Sequence, residues 1–324
     1  MGQPILSVQN LTMHYSTRKG EVSAVDDVSF DLREGDALGL VGESGCGKTS
    51  IATTLLKLLP ENARIKAGSI RINGSDIAQL DETAMQRVRW KKIAMVFQAA
   101  MNALDPVYRV GDQIIEALNT HIETMTNAQA RTRVAELFKI VGLDPALMDR
   151  YPHEYSGGMR QRAVIAMALS CNPDIIIADE PTTALDVIVQ DKLLREMCAI
   201  QKQLGMGMIY ISHDIAVIAE VSNRMGVMYA GRLVELADTA DIFERPLHPY
   251  TFALMGAFPS ITGPKRALAT LPGEPPDLLN PPTGCRFHPR CPHATNHCRQ
   301  DVPEFKNYNG QHFAACWHPI EKNA

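Results

Sequence analysis

Hydrophobic positions in the first third of the chain follow the periods of β-strands. Residues 5–15, ILSVQNLTMHY, and 24–32, AVDDVSFDL, carry apolar side chains at about every second position, which predicts two half-buried strands. The continuously apolar run ALGLVG at 37–42 predicts a fully buried strand. A glycine-rich turn follows it, then SIATTLLKLL, which predicts a helix. GSIRINGSDI at 68–77 predicts a hairpin.

The middle of the chain changes to a helical period. Thr126 and Gln129 have the spacing of a capping box, and Gly142 is placed to end the helix that they begin. An apolar stripe at i, i+3, i+4 and i+7 lies between them, at Val134, Leu137, Phe138 and Val141. Further on, DIIIADE at 174–180 and GMIYISHD at 207–214 predict buried strands separated by a helix. Strands that alternate with helices indicate an α/β fold with a mostly parallel sheet.

Composition and charge narrow the class of protein. The 324 residues are enough for two domains, and the hydrophobic fraction of 45% allows a sizeable core. A net charge of −4 argues against binding to a nucleic-acid backbone, so we expect no nucleic-acid partner. The N-terminus lacks the features of a secretory signal, and no apolar run approaches the roughly 20 residues of a membrane span. We expect a cytoplasmic location, where structural disulfides are rare.

The strongest local motif is GESGCGKT at 42–49, which fits G-x-x-x-x-G-K-[ST] between a predicted strand and a predicted helix. Glycines let backbone N–H groups converge on phosphate oxygens, Lys48 suits the β- and γ-phosphates, and the Thr49 hydroxyl suits Mg²⁺. This context predicts a site for ATP and Mg²⁺. The candidate nucleotide-binding residues are Gly42, Glu43, Ser44, Gly45, Cys46, Gly47, Lys48, Thr49 and Ser50.

Two acids end the predicted strand that begins at residue 175. Asp179 suits coordination of Mg²⁺, and Glu180 suits polarisation of an attacking water. By itself an acidic pair at this position could be only an exposed strand end. Together with a phosphate loop, the pair favours the catalytic interpretation.

Further motifs give the chain its resemblance to a family. YSGGM at 155–159, DEPTTALD at 179–186 and SHD at 212–214 resemble the signature, the Walker B and D-loop, and the H-loop of ABC-transporter ATPases. Gln98, which closes IAMVFQ, stands where the family has its Q-loop. The resemblance implies a P-loop NTPase core with an N-terminal antiparallel β part and an inserted helical subdomain at about 100–168. The nucleotide-binding domain would span residues 1–250.

The resemblance also implies roles for single residues. His213 would contact the γ-phosphate and hold the catalytic geometry with Glu180, while Gln98 would sense Mg²⁺ and the attacking water. Tyr15 lies where the family stacks an aromatic ring on adenine, although an ordinary strand tyrosine fits equally well, and Asp186 belongs to the D-loop. The signature residues would face the γ-phosphate bound by a second ATPase subunit; they are Ser156, Gly157 and Gly158. The chain is therefore expected to work as a dimer.

Several positions depart from the family pattern. Tyr155 stands where leucine is usual, and Met159 stands where glutamine is common, so the docking of the signature helix is expected to differ. Ala99 and Ala100 replace an acidic residue and a proline in the loop that would face the permease. Cys46 replaces a serine inside the phosphate loop, and we expect neutral packing there.

Composition shifts after residue 245, where prolines accumulate and predict broken regular structure. We place a domain boundary near residue 250, with a C-terminal extension at 251–324. HPYT at 248–251, LPGEPPDL and GCRFHPRCPHATNHC resemble the extension of oligopeptide and dipeptide importer ATPases. That branch pairs two different ATPases with two integral-membrane permeases and an extracytoplasmic solute-binding protein. The chain would then lie at the cytoplasmic face of the inner membrane.

The sequence does not identify the transported solute. The same branch includes importers of oligosaccharides, nickel complexes and glutathione, and the ATPase subunit does not contact the solute. A soluble ABC ATPase without a transport role is a further alternative, as is a subunit with inactive chemistry. Intact Lys48, Glu180 and His213 argue against the last of these.

The extension contains four cysteines, and four is a usual number of ligands for a metal site; they are Cys285, Cys291, Cys298 and Cys316. Their spacing is neither the paired C-x2-C of zinc ribbons nor that of bacterial ferredoxins. The resemblance implies a 4Fe–4S cluster at these positions. Structural zinc, with His288, His293 or His297 as substitute ligands, and unliganded or disulfide-bonded thiols are the alternatives.

Overall fold

The computed structural model describes residues 3–98, 103–183, 185–256 and 271–320. Within these ranges the strands β1 to β12 are, in chain order, Leu6–Thr17, Gly20–Leu32, Ala37–Val41, Ala63–Ile72, Ser75–Asp76, Ile93–Val96, Ile175–Asp179, Gly207–Ile211, Arg224–Tyr229, Arg232–Asp238, Lys306–Asn309 and His312–Ala314. The helices α1 to α10 are Lys48–Leu55, Glu82–Val88, Val110–His121, Asn127–Ile140, Gly157–Ala168, Val187–Leu204, Ile215–Val221, Thr239–Glu244, Pro249–Gly256 and Asn296–Gln300. Short 3-10 helices lie at Pro145–Asp149, Pro152–Glu154 and His288–Arg290.

These elements form two compact units, each assembled from separate stretches of the chain. The first unit comprises the chain up to Ser7, Asp31–Ala37 and Ile70–Ile211. The second comprises Val8–Phe30, Leu38–Ser69 and the chain from Ser212 onward. The C-terminal extension thus belongs to the same unit as the segment that carries GESGCGKT.

The first unit contains a parallel sheet in the order β8-β7-β6. Ile175 of β7 pairs with Ile93 of β6 on one side and with Gly207 of β8 on the other. Every residue of β7 and β8 is buried, as the unbroken apolar runs predict for strands covered on both faces. The prediction of two buried parallel strands is confirmed.

Helices α3, α4 and α5 pack together in the same unit. Thr126 begins α4 with the predicted capping box: its hydroxyl accepts from the Gln129 N–H at 3.3 Å, and the Gln129 side chain accepts from the Thr126 N–H at 2.9 Å. The predicted stripe is buried, at Val134, Leu137, Phe138 and Val141. Local sequence therefore determines where α4 begins and which face it buries.

The second unit contains strands in the order β11-β12-β10-β9-β3. Leu38 of β3 pairs in parallel with Arg224 of β9, and β9 pairs antiparallel with β10. Glu235 of β10 then pairs antiparallel with Ala314 of β12. A second sheet of this unit has the order β2-β1-β4.

Regular structure in the C-terminal part was underestimated from the sequence. Helix α9 begins at Pro249, where a proline fits the first helical turn because that position needs no N–H donor. Strand β12 is held to the edge of β10 by a side-chain contact, since His312 lies 2.7 Å from the buried Glu235 carboxylate. Prolines interrupt regular structure between these elements, but they do not prevent the helix and the strand from forming.

In the part of the chain that the structure describes, none of the helices combines the length and apolarity that a bilayer crossing requires.

Candidate nucleotide site and cysteine pocket

The loop between β3 and α1 has a backbone that only glycine permits at two points. Gly42 and Gly47 adopt φ values of +148° and +105°. A Cβ atom would lie 2.2 Å from the carbonyl oxygen of Met228 at the first position and 2.2 Å from that of Ala24 at the second. The motif glycines are therefore required by close backbone packing as well as by torsion angle.

Helix α1 begins at Lys48 and has the properties of an anion site. Its N-cap, Gly47, supplies no side-chain acceptor, so no side chain caps the first N–H groups of the helix. Lys48 is buried, and its ammonium group donates to the carbonyl oxygens of Gly42 at 2.7 Å and Glu43 at 3.1 Å. The lysine is thus held inside the loop by protein groups alone.

Other candidates surround the same helix. Thr49 is exposed at the start of α1. The Tyr15 hydroxyl lies 3.2 Å from the Ser50 hydroxyl, which brings the candidate adenine-stacking residue to the phosphate loop. Cys46 is buried, and burial raises the pKa of its thiol, which keeps it neutral at physiological pH.

The acid pair ends β7 as predicted. Asp179 is buried, whereas Glu180 adopts a left-handed backbone with φ +47°, a strained conformation that recurs at functional sites. The Glu180 N–H donates to the Ile211 carbonyl at 2.8 Å. Its carboxylate accepts from the Gln98 amide at 2.7 Å and from the Thr183 hydroxyl at 3.1 Å. The structure therefore joins the Q-loop glutamine to the second acid.

The signature segment leads into a helix N-terminus. Ser156 is exposed and caps α5, with its hydroxyl accepting from the Met159 N–H at 3.3 Å. Tyr155 is buried, and its hydroxyl donates to the Leu147 carbonyl at 2.6 Å. The tyrosine that departs from the family pattern therefore fixes the 3-10 segment ahead of the signature helix.

The H-loop and D-loop residues take up distinct positions. Ser212 and Asp214 shape the turn after β8: the Ser212 hydroxyl accepts from the Asp214 N–H at 3.0 Å, and Asp214 caps α7. His213, between them, is exposed. Asp186 caps α6 by accepting from two N–H groups of its first turn, at 3.1 and 3.0 Å. Ala99 and Ala100 lie outside the described residues.

The four predicted cysteines all line one pocket. All four are free thiols. The lining residues are His248, Pro249, Cys285, Phe287, His288, Cys291, His293, Cys298, Cys316, Trp317 and His318. Of the predicted histidines, His288 and His293 line the pocket, whereas His297 pairs with Asp301 at 3.0 Å. Across the described ranges, no group of three or more His, Cys, Asp or Glu side chains is arranged to hold a metal ion as it stands.

Burial favours the neutral form of three of these thiols. Burial, with a smaller contribution from the neighbouring thiols, raises the pKa of Cys285 to about 11 and that of Cys316 to about 12. Burial also raises the pKa of Cys291. These thiols are therefore protonated at neutral pH unless a cation binds them.

One wall of the pocket contains a buried donor that the sequence did not identify. Nδ1 of His248 lies 3.0 Å from the Tyr250 amide nitrogen. Because an amide can only donate, Nδ1 is the acceptor and the ring proton is on Nε2. Burial lowers the pKa of His248 to about 4, so the ring is neutral. Nε2 has no hydrogen-bond partner among the described residues.

The extension also reaches the phosphate loop, again without a clear sequence signal. The Arg290 guanidinium donates to both carboxylate oxygens of Glu43, at 2.6 and 2.9 Å. The Glu43 N–H donates to the Tyr250 hydroxyl at 3.0 Å. The local hint was only that Arg286 and Arg290 each adjoin a pocket cysteine.

A glycine-constrained loop with a buried lysine, followed by a helix with an uncapped N-terminus, defines the class of P-loop nucleotide-binding proteins. Comparison with known proteins refines this class. The family model described as "ABC transporter" matches residues 25–183, and "Oligopeptide/dipeptide transporter, C-terminal region" matches 234–298. The chain therefore belongs to the ABC-transporter ATPases, in the branch of the oligopeptide and dipeptide transport ATP-binding proteins.

Curated relatives match nearly end to end. The chain is 42% identical to "Oligopeptide transport ATP-binding protein OppD" of Escherichia coli (strain K12), over 98% of this chain and 94% of that protein. It is 43% identical to "Dipeptide transport ATP-binding protein DppD" of Bacillus subtilis (strain 168), over 97% and 95%. Membership makes the chain an ATP-binding subunit whose ATP hydrolysis is coupled to transport, as predicted.

A solved structure supports the predicted fold class. "Dimeric Structure of MJ0796, a Bacterial ABC Transporter Cassette" aligns with a TM-score of 0.64 at 26% identity, covering 72% of this chain and 98% of that one. The prediction of an ABC-type α/β fold is confirmed.

Proposed function

We propose that ATP hydrolysis by this chain powers the uptake of dipeptides or oligopeptides through membrane permeases. The observation that carries the coupling is the 2.7 Å hydrogen bond between Gln98 and Glu180. It joins the residue of the loop that faces the permease in the family to the residue suited to polarising the attacking water. The peptide assignment is supported by the match of residues 234–298 to the oligopeptide/dipeptide C-terminal region.

We assign the phosphate end of ATP to the loop between β3 and α1. The N–H groups at the uncapped start of α1 would donate to phosphate oxygens, and Lys48 would exchange its loop carbonyls for the β- and γ-phosphates. Thr49 and Asp179 would hold Mg²⁺, with Gln98 as a further ligand. Tyr15 would stack on the adenine.

Hydrolysis is assigned to a small set of side chains. Glu180 would orient and polarise the attacking water, and His213 would contact the γ-phosphate as negative charge moves onto it. In support, Glu180 is already held by two hydrogen bonds to its carboxylate. The exposed Ser156 at the start of α5 would bind the γ-phosphate of a second ATPase subunit together with Gly157 and Gly158. Asp186 would lie at that interface through the D-loop.

The partners follow from this assignment. A second ATPase, different from this chain, would complete two nucleotide sites, and a solved relative is titled as dimeric. Two integral-membrane permeases would bind the pair at the cytoplasmic face of the inner membrane, and an extracytoplasmic protein would deliver the solute. ATP binding would close the ATPase pair, and hydrolysis would reopen it.

We further propose that the four cysteines of the extension hold a 4Fe–4S cluster. The four thiols line one pocket, and four cysteine thiolates are the usual ligands of such a cluster. The neutral His248 Nε2–H, buried and without a partner in the pocket wall, would donate to an anionic sulfur there. Bound, the cluster would cross-link the extension and accept or release one electron.

Reconstituted transport tests the proposed function. The chain, its companion ATPase and both permeases are placed in proteoliposomes with the binding protein on the opposite face from ATP. We expect ATP-dependent accumulation of labelled dipeptide and pentapeptide, and none with a Glu180→Gln control. Uptake of glutathione, a nickel complex or an oligosaccharide in place of peptides would overturn the solute assignment. ATP turnover without any uptake would overturn the transport role.

A further inference from the structure

Glu43, the second residue of the phosphate loop, is held from two directions by the C-terminal part of the chain. Its carboxylate accepts a parallel pair of hydrogen bonds from Arg290, at 2.6 and 2.9 Å. Its backbone N–H donates to the Tyr250 hydroxyl at 3.0 Å. Side chain and main chain of one loop residue are thus fixed together, and the paired, charge-assisted geometry is among the stronger forms of hydrogen bonding.

Arg290 is itself held in place before it reaches the loop. Its Nε donates to the Pro272 carbonyl at 2.8 Å, and its guanidinium carbon lies 5.7 Å from the centre of the Tyr229 ring. Only 5% of its side chain is exposed, against 25% for Glu43. A buried guanidinium with fixed orientation serves as an anchor, because little conformational entropy remains to be lost.

The anchors of Glu43 are continuous with the walls of the cysteine pocket. Arg290 ends the 3-10 helix that begins at His288 and directly precedes Cys291. Phe287 packs against the rings of Tyr229 and Tyr250, with centroids 5.1 and 5.4 Å away. The segments that line the pocket are therefore the segments that hold the loop.

The position of Glu43 matters for phosphate binding in two ways. Its carbonyl oxygen accepts from the Lys48 ammonium at 3.1 Å, so a shift of Glu43 moves the environment of that lysine. Its carboxylate is a negative charge in a loop built to receive a polyanion, and Arg290 neutralises it. Without the arginine, the loop would be looser and would repel its ligand.

We propose that Arg290 is a positioning residue for ATP, which acts through Glu43 and ties the phosphate loop to the cysteine pocket. The inference rests on the proposed binding of ATP phosphates by this loop. It predicts that loss of the arginine weakens binding of the nucleotide more than it slows the chemical step, because the interaction is present before and during reaction.

The test uses the full chain assembled with its partners and compares Arg290→Gln with Arg290→Lys. We expect KM for ATP, and the Kd of a fluorescent ATP analogue, to rise about tenfold in Arg290→Gln with kcat changed less than about twofold. Arg290→Lys keeps the charge but loses the paired geometry, so its KM should lie between those of wild type and Arg290→Gln. If Arg290→Gln fails to fold, the test rests on Arg290→Lys alone. A KM for ATP above that of wild type in Arg290→Lys would then support the proposal, and an unchanged KM would contradict it.

Arg286→Gln is the matched control. Arg286 is equally buried and also adjoins a pocket cysteine, but it pairs with Asp26 of β2 at 2.5 Å instead of with the loop. We expect its KM to stay near that of wild type. A second arm combines Arg290→Gln with Glu43→Gln, and KM should partly recover because the unpaired carboxylate is gone.

The outcomes separate this inference from the proposed function. An equal rise of KM in Arg286→Gln and Arg290→Gln would overturn the inference, since general loosening of the extension would then explain both. An unchanged KM in Arg290→Gln would overturn it too. If wild type binds no ATP analogue, or Lys48→Ala binds it as well as wild type does, the assignment of the phosphate site itself is wrong.

Discussion

The phosphate loop and the cysteine pocket are two sites of one compact unit that are built in opposite ways. The loop uses eight consecutive residues, and its key cation already has partners, because Lys48 donates to two loop carbonyls. The pocket draws on residues from His248 to His318; its four thiols form no disulfide, and the His248 Nε2–H donates to nothing among the described residues. The lysine of the first site is therefore satisfied by the protein itself, whereas the second site keeps a buried donor with no partner among the described residues.

We therefore expect the two sites to behave differently in the protein without ligands. A loop whose geometry is set by glycine torsions and backbone contacts keeps its shape without ATP. The cysteine pocket lies in proline-broken chain with little core of its own, so we expect its order to depend on the cluster proposed above. Changes in the first site should therefore alter chemistry, and changes in the second should alter stability.

The largest expected effect is in the chemistry. Glu180→Gln preserves the size of the side chain and an acceptor for Gln98, but it removes the charge that polarises water. We expect ATP hydrolysis to fall at least about 100-fold, with ATP binding and thermal stability retained. Steady-state phosphate release, analogue binding and calorimetry measure the three quantities. Near-wild-type turnover would show that Glu180 does not polarise the attacking water.

The next effect is in stability. Cys298→Ser alters the most buried thiol of the pocket. We expect loss of iron and sulfide from anaerobically purified protein, and a decrease of about 4 kcal/mol or more in the free energy of unfolding, since loss of a bound metal group is among the few causes of large destabilisation. Iron and sulfide analysis, visible absorption and denaturant unfolding provide the readouts.

Cys46→Ser is the matched control for that experiment, because the same change is made to a buried cysteine of the phosphate loop. We expect unchanged iron content and a stability change below about 1.5 kcal/mol, because a serine hydroxyl at this position could accept a hydrogen bond from the Lys48 ammonium that lies 3.5 Å from the Cys46 sulfur. Zinc in place of iron in the wild-type protein would contradict the cluster. Equal destabilisation by both serine variants would contradict the contrast between the two sites.

The smallest effect concerns pH. Burial lowers the pKa of His248 from 6.5 to about 4 in the folded chain. Between these values the unfolded chain binds the proton that the folded chain excludes, so stability falls as pH falls from about 6.5 to 4, by at most about 3 kcal/mol. In metal-free protein, denaturant unfolding of wild type and His248→Gln should show a shallower pH slope for the variant. Parallel slopes would show that His248 is not the titrating group.

Local structural features were the ones that the sequence predicted best. The capping pair Thr126 and Gln129 predicted the start of α4, and the apolar runs predicted β7 and β8, because each depends on neighbours within a few residues. The sequence predicted the structure of the C-terminal part of the chain less well. Helix α9 was predicted as broken structure because prolines signal interruption, and strand β12 was not predicted because local sequence says nothing of the sheet edge that it covers.

By itself, the sequence determined the phosphate loop, the acid pair and the family, because their chemistry depends on residue types at fixed short spacing. The tertiary structure alone decided that Gln98 reaches Glu180 and that Arg290 reaches Glu43, 247 positions away. It also decided that the histidine of HPYT lines the same pocket as the four cysteines, with its Nε2 atom buried. Such contacts depend on the packing of distant segments, which local hydrophobic pattern and residue spacing do not encode.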